Sequence, residues 1–174
     1  MHNLNQRLPY KFYKRNTVEV AQDLLGKQLN VGGVTGIITE TEAYRGFDDE
    51  ASHAFKGITP RSAIMFGRAG HVYVYMIYGM YYCLNIVTEN PGQAGAVLVR
   101  SVIVDGQNVI GPGKLCRHLQ VTTLHNGVDL LKDKDFYLSK GFDNLPYEAT
   151  KRIGIKKAVD KPWRFVLNHL NIFP

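Results

Sequence analysis

The sequence predicts an α+β fold, a single domain of mostly antiparallel strands with helices at its periphery. Three observations carry that expectation. Short runs rich in β-branched and aromatic residues alternate with glycine-containing turns, as in hairpin-connected strands. Helical spacing is confined to two stretches, one through Val18, Ala21, Leu24 and Leu25 and one through Leu115, Cys116 and Leu119. The 174 residues contain no linker, repeat or low-complexity tract, and that length suits one domain with a sizeable core.

Residues 1–14 have no clear period and are expected to form an extended lead-in. Asn16 and Thr17 offer side-chain acceptors for a helix start, and Gly26 closes that helix. Lys27 to Val31 reads as a strand, Gly32-Gly33 as a turn and Val34 to Glu42 as the return strand. Asp48 is placed to cap a short helix carrying Ala51 and His53. Lys56 to Gly70 reads as a loop broken by glycine and proline.

Tyr73-Val-Tyr-Met-Ile-Tyr-Gly-Met-Tyr-Tyr-Cys-Leu-Asn85 holds five tyrosines in an otherwise strand-like apolar run. Gly79 divides it, which predicts a hairpin or sharp bend. Tyr73, Tyr75 and Ile77 share one face, Val74 and Met76 the other, and Tyr78 falls beside the turn. Ala96 to Val104 is a strand with Arg100 set among apolar residues. Gly111-Pro112-Gly113-Lys114 opens the second helix, a weak phosphate-binding pattern at its N-terminus. Phe136 to Ser139 and Arg152 to Ile155 read as late strands, and Pro162 to Leu167 as a closing packed segment.

Hydrophobic content of 45% and charged content of 21% describe an ordinary globular chain. No apolar run approaches a membrane span, and the N-terminus lacks the apolar core of a signal sequence. Two cysteines without a CxxC pattern fit a reducing, cytoplasmic setting. The net charge of +6 favours a polyanionic partner, with any positive surface assembled by the fold from dispersed residues such as Arg61, Arg68 and Lys114.

Several residues carry possible chemistry. Glu42, at the end of an apolar strand, suits a general base, and Glu40 shares its face at i, i+2. Paired carboxylates of this kind serve glycoside hydrolysis, although the spacing also occurs in inert strands. Arg100 in its apolar run needs an anionic partner, for which Glu40 and Glu42 both qualify. Asn85 needs a hydrogen-bond partner or a cavity. The tyrosine run is either a core strand or a platform that stacks bases. A metal site drawn from Glu40, Glu42, Asp48 and His53 would make the chain a nuclease, and stacking tyrosines with idle carboxylates would make it a non-catalytic nucleic-acid-binding module. No serine, cysteine or lysine nucleophile scheme has support.

Taken in order, Thr39-Glu-Thr-Glu-Ala-Tyr-Arg-Gly46, Glu50-Ala-Ser-His53, Thr59-Pro-Arg61, Tyr73 to Tyr81, Asn85, Leu98-Val-Arg100 and Gly111-Pro-Gly-Lys-Leu-Cys116 closely resemble the alkyladenine (3-methylpurine) DNA glycosylase family. Arg152-Ile-Gly-Ile155 and Lys161-Pro-Trp-Arg-Phe165 continue the match. The resemblance implies a curved, open-barrel-like sheet with a protruding hairpin. It implies a monomeric, cytoplasmic, bacterial-type repair enzyme that needs no cofactor or metal and acts on double-stranded DNA containing damaged purines. By motif position, Glu42 corresponds to the general base for an attacking water, and Arg100 helps to hold that water. Tyr44, His53 and Tyr75 correspond to the walls of a base pocket, Asn85 to a filter against the guanine amine, and Tyr78 to a ring that wedges into the vacated position. Arg61 and Lys114 are expected to touch the DNA backbone.

Overall fold

Nine strands form one antiparallel sheet in the computed structural model, which describes residues 6–168. They are β1 (Gln28–Val31), β2 (Val34–Tyr44), β3 (Val72–Ile77), β4 (Tyr81–Val87), β5 (Ala96–Val104), β6 (Gln107–Ile110), β7 (Phe136–Ser139), β8 (Tyr147–Thr150) and β9 (Arg164–Leu167). The main path runs β3-β4-β5-β2-β1-β7; β6 adds to β5, and β9 joins β2 to β8. The sheet curls into a half-barrel, as the resemblance implied. No helix among the described residues is long and apolar enough to cross a membrane.

Alternation divides the central strands between two surfaces. Val72, Val74, Leu84, Ile86, Val97, Val99 and Ala43 enter the main core, where each valine, leucine or isoleucine contributes roughly 1.5–3 kcal/mol on burial. Tyr73, Tyr75, Cys83, Asn85, Leu98 and Tyr44 take the opposite parity and line a cavity. Helix α2 (Thr17–Asp23) packs on β2 and β5, and helix α3 (Pro112–Leu119) on β4, β5 and β6. Asn16 caps α2 by accepting from the Val18 amide, as its sequence position predicts. Gly113 permits the start of α3 to close on the hairpin, since a Cβ there would lie 2.8 Å from the Tyr81 ring.

The two strands that carry Glu40, Glu42 and Arg100 both change neighbours at those residues. One edge of β2 pairs with β1 over Val34–Ile37 and then with β9 over Glu40–Glu42. One edge of β5 pairs with β4 up to Leu98 and resumes with β6 at Ser101. Between β2 and β5 the register shifts on both sides of Glu40. A bulge re-aims side chains and interrupts the ladder, which opens the sheet to polar groups at this level.

Several local expectations require correction. The lead-in contains a short helix, α1 (Tyr10–Tyr13), whose Tyr13 is fully buried in the core. No helix follows Asp48. Its carboxylate pairs with Arg45, while Asp49 turns inward and accepts from the Arg45 and Ala51 amides. The loop before the hairpin includes a 3₁₀ turn over Ala63–Phe66. Arg152 to Ile155 is irregular, because Arg152 is drawn to Asp49 and leaves no strand ladder there. Strands β6 and β8 are short and largely polar, which hid their periodicity. Lys27, immediately before β1, is buried with its ammonium on the Phe142 carbonyl and the Asp143 carboxylate.

Candidate active site

Cross-strand register assembles the site in rows. Tyr73 faces Asn85, Asn85 faces Leu98, Leu98 faces Glu42 and Glu42 faces Arg164, one row across β3, β4, β5, β2 and β9. Tyr75 faces Cys83 in the next row, and Val87, Ala96 and Tyr44 form the row on the other side. Directly opposed residues share a face, so residues far apart in sequence converge on one cavity of about 400 Å³. That volume lies in the range of small-molecule sites.

Glu42 is fully buried behind the cavity wall, bonded to the lining residues Tyr44, Arg100 and Ile153. Three donors meet its oxygens: the Tyr44 hydroxyl at 2.8 Å and Arg100 Nη1 at 3.4 Å on Oε1, and the Ile153 amide at 2.7 Å on Oε2. Tyr44 is held protonated, its pKa raised by burial and by the adjacent Glu42 charge. Arg100 also donates from Nε to Glu40 at 3.1 Å, so one guanidinium bridges both carboxylates.

Glu40 additionally accepts from Arg164 at 2.6 Å and from the Ser101 hydroxyl at 2.7 Å. Burial opposes its charge, but the Arg164 and Ser101 hydrogen bonds and the two arginine charges outweigh it and hold the pKa below the usual value. The stability Glu40 contributes is therefore present above about pH 4.5 and is lost as the pH falls through the lower folded value. A Glu40→Gln variant is expected to lose less stability than the parent on acidification, as thermal melts over roughly pH 3–6 would record.

The wall opposite Tyr44 is aromatic. His53 meets Tyr75 edge-on at 4.7 Å between ring centres, and Tyr73 lies 5.2 Å from Tyr75. The Tyr73 hydroxyl and His53 Nδ1 are 3.0 Å apart. Partial desolvation of its ring, and secondarily the Arg61 charge, push the His53 pKa down to about 4 although the residue is exposed at the cavity, so the imidazole is neutral near pH 7. Asn85 is buried, with Nδ2 donating to the Tyr73 and Cys83 carbonyls, and it lines the cavity as well. Either would have satisfied the sequence expectation, and it has both.

Tyr78 stands at the hairpin tip, 87% exposed at the cavity margin. Its φ of 51° and that of Gly79, 66°, give the left-handed pair of a type I′ turn. Glycine or asparagine normally fills the first of these positions, and a tyrosine there costs about 1–2 kcal/mol. An exposed aromatic ring held in a costly backbone conformation points to a use outside the fold's own packing.

Residues 11–171 match the family model described as methylpurine-DNA glycosylase. The chain belongs to that family. Among curated relatives, a Rickettsia felis protein is 49% identical over 170 residues, covering 96% of each chain. An Ehrlichia ruminantium protein is 49% identical over 173 residues (96% of this chain, 90% of its own), and one from Sodalis glossinidius is 51% identical over 164 (92% and 96%). All three are provisionally named 3-methyladenine DNA glycosylases. This family member is thus a hydrolase of N-glycosyl bonds whose substrate is DNA.

For this glycosylase, the structure brings Tyr44, His53, Tyr75, Tyr78, Asn85 and Arg100 to one cavity, with Glu42 held directly behind it by Tyr44 and Arg100. Two other residues named from the sequence are not part of its lining. Lys114 is exposed on α3, and Arg61 is exposed with its guanidinium 4.9 Å from the Tyr75 ring centre. The nuclease alternative loses its geometry, because Glu40 is taken up by two arginines and Asp48 by Arg45. Among the described residues, no three His, Cys, Asp or Glu side chains are grouped to hold a metal ion.

Sequence reasoning missed four contributors. Tyr73 reads as packing, yet it lines the cavity and bonds His53; its i, i+2 spacing from Tyr75 already carried that information. The Ile153 amide carries no side-chain signal. Arg152 and Asp49 form a fully buried bidentate pair, and Arg152 lies 4.7 Å from the Tyr44 ring centre and 5.3 Å from that of Trp163.

Proposed function

We propose that this glycosylase flips damaged purines out of duplex DNA, of the 3-methyladenine, 7-methylguanine, hypoxanthine and ethenoadenine type, and hydrolyses the N-glycosidic bond with a water activated by Glu42. The observation that carries this reading is a buried carboxylate held by three donors from residues that line a tyrosine- and histidine-walled cavity. Flipping is a physical requirement, since C1′ cannot be reached within a stacked, paired duplex. Tyr44 stacks on the extruded purine, with Tyr75 on its other side, His53 at its edge and Asn85 excluding the guanine amine. Tyr78 fills the gap left in the stack.

In the reaction, water attacks C1′ as the C1′–N bond breaks, and the electron pair leaves with the purine. Glu42 accepts a proton from the water, which Arg100 helps to hold; the products are free base and an abasic site. Water as nucleophile makes the enzyme monofunctional. A cationic base leaves readily, whereas a neutral one needs hydrogen bonds at its ring nitrogens. The neutral His53 and the tyrosine hydroxyls, with pKa values raised by burial at Tyr44, Tyr73 and Tyr75, supply uncharged partners for that purpose.

The test is incubation with duplexes carrying hypoxanthine, ethenoadenine or 7-methylguanine, followed by chromatography. Released base with an intact abasic strand is expected. A chelator-sensitive strand cut would establish a nuclease, and single-strand binding without released base a binding module. Tyr78→Ala should weaken binding to lesion-containing duplex by ~1–3 kcal/mol, read by fluorescence anisotropy. Unchanged affinity removes Tyr78 from the wedge role.

A further inference from the structure

We infer that Arg61, seated on the outer face of Tyr75, biases the cavity toward neutral lesion bases and against cationic ones. This deepens the glycosylase reading and rests on it. Electron-rich rings by themselves attract cations, so a cavity walled by Tyr44, Tyr73 and Tyr75 ought to prefer a methylated, positively charged purine. Here, however, the two rings expected to sandwich the base are each backed by an arginine. The Arg61 guanidinium lies 4.9 Å from the Tyr75 ring centre and that of Arg152 lies 4.7 Å from the Tyr44 centre. Neither arginine lines the cavity, whereas both rings do. Each cation therefore sits on the side of its ring turned away from the base.

A cation on one face of a ring draws π density toward itself. The other face then binds a second cation less well, and stacks better with a neutral, electron-rich heterocycle. The two arginines differ in strength. Arg152 is matched by the Asp49 carboxylate at 2.7 and 2.8 Å, which cancels much of its field. Among the described residues, no carboxylate pairs with Arg61. Its charge also reaches the cavity, as the neighbouring His53 registers: burial and then Arg61 disfavour the imidazolium. Arg61 is exposed, so it can be replaced without opening the core.

The experiment measures single-turnover release of 7-methylguanine and of hypoxanthine from otherwise identical duplexes, with the full chain in saturating excess. Saturation removes any general contribution of Arg61 to DNA affinity. In Arg61→Gln the ratio of cationic to neutral base release is expected to rise by at least about three-fold. Arg61→Lys, which restores a cation, should return the ratio close to that of the parent. An unmoved or lowered ratio in Arg61→Gln, or the same shift in both variants, overturns the inference. If the parent releases neither base, the glycosylase reading falls and takes this inference with it. Release of both bases with an unmoved ratio removes only the role of Arg61.

Discussion

Replacing Glu42 by glutamine is expected to lower base release by about 10²–10⁴-fold while leaving lesion-DNA affinity nearly intact. The amide keeps the size of a fully buried side chain and can still accept from one side. It cannot take a proton from water, and its NH₂ group must confront either the Ile153 amide or the Tyr44 and Arg100 donors. Arg100 stays anchored through Glu40, which limits the structural damage. Single-turnover chromatography and anisotropy on the same variant separate the two effects. Affinity falling in step with activity would make Glu42 a structural residue.

The largest effect on stability is expected at Asp49. Asp49→Ala leaves the Arg152 guanidinium uncompensated in a site where both side chains are fully buried. Removing one partner of such a pair costs about 3–5 kcal/mol, or roughly 6–20 °C in Tm for a domain of this size. Arg152 Nε already lacks a partner in the folded protein, so the site has no spare acceptor to offer. The double variant Asp49→Ala with Arg152→Met should be more stable than Asp49→Ala alone, because the stranded charge is gone. Thermal melts of the parent, both single variants and the double variant test this. A double variant as unstable as the sum of its parts would show that packing, and no stranded charge, dominates at Asp49.

What could be read from the sequence follows the range of its signals. Strand parity gave Tyr75 its face, the family resemblance assigned that face to a pocket, and turn chemistry at Gly79 positioned the hairpin with Tyr78 beside it. The apolar setting of Arg100 demanded an anion, and both anticipated carboxylates meet it. Hidden from that reading were contacts made by groups with no pattern of their own. The Ile153 amide is one, and the choice of Asp49 over its neighbour Asp48 is another, since adjacent aspartates differ only in which way the chain turns them. The stacking of Arg61 on Tyr75 is a third, since the ring lies 14 residues later and no periodicity connects the two.

The row of residues across the sheet has a consequence for the order in which the protein becomes competent. Glu42 and Glu40 emerge early, but the Ile153 amide and Arg164 that complete their surroundings follow 111 and 124 residues later. Contacts of that separation close a long loop and form late. With synthesis at about 5–20 residues per second, the carboxylates wait several seconds for these partners. The aromatic hairpin, whose strands pair locally from Val72 to Val87, can form long before then. A nascent chain would thus carry its stacking rings well before its carboxylate is fully framed, and the capacity to break a glycosidic bond would arise only with the closing strand.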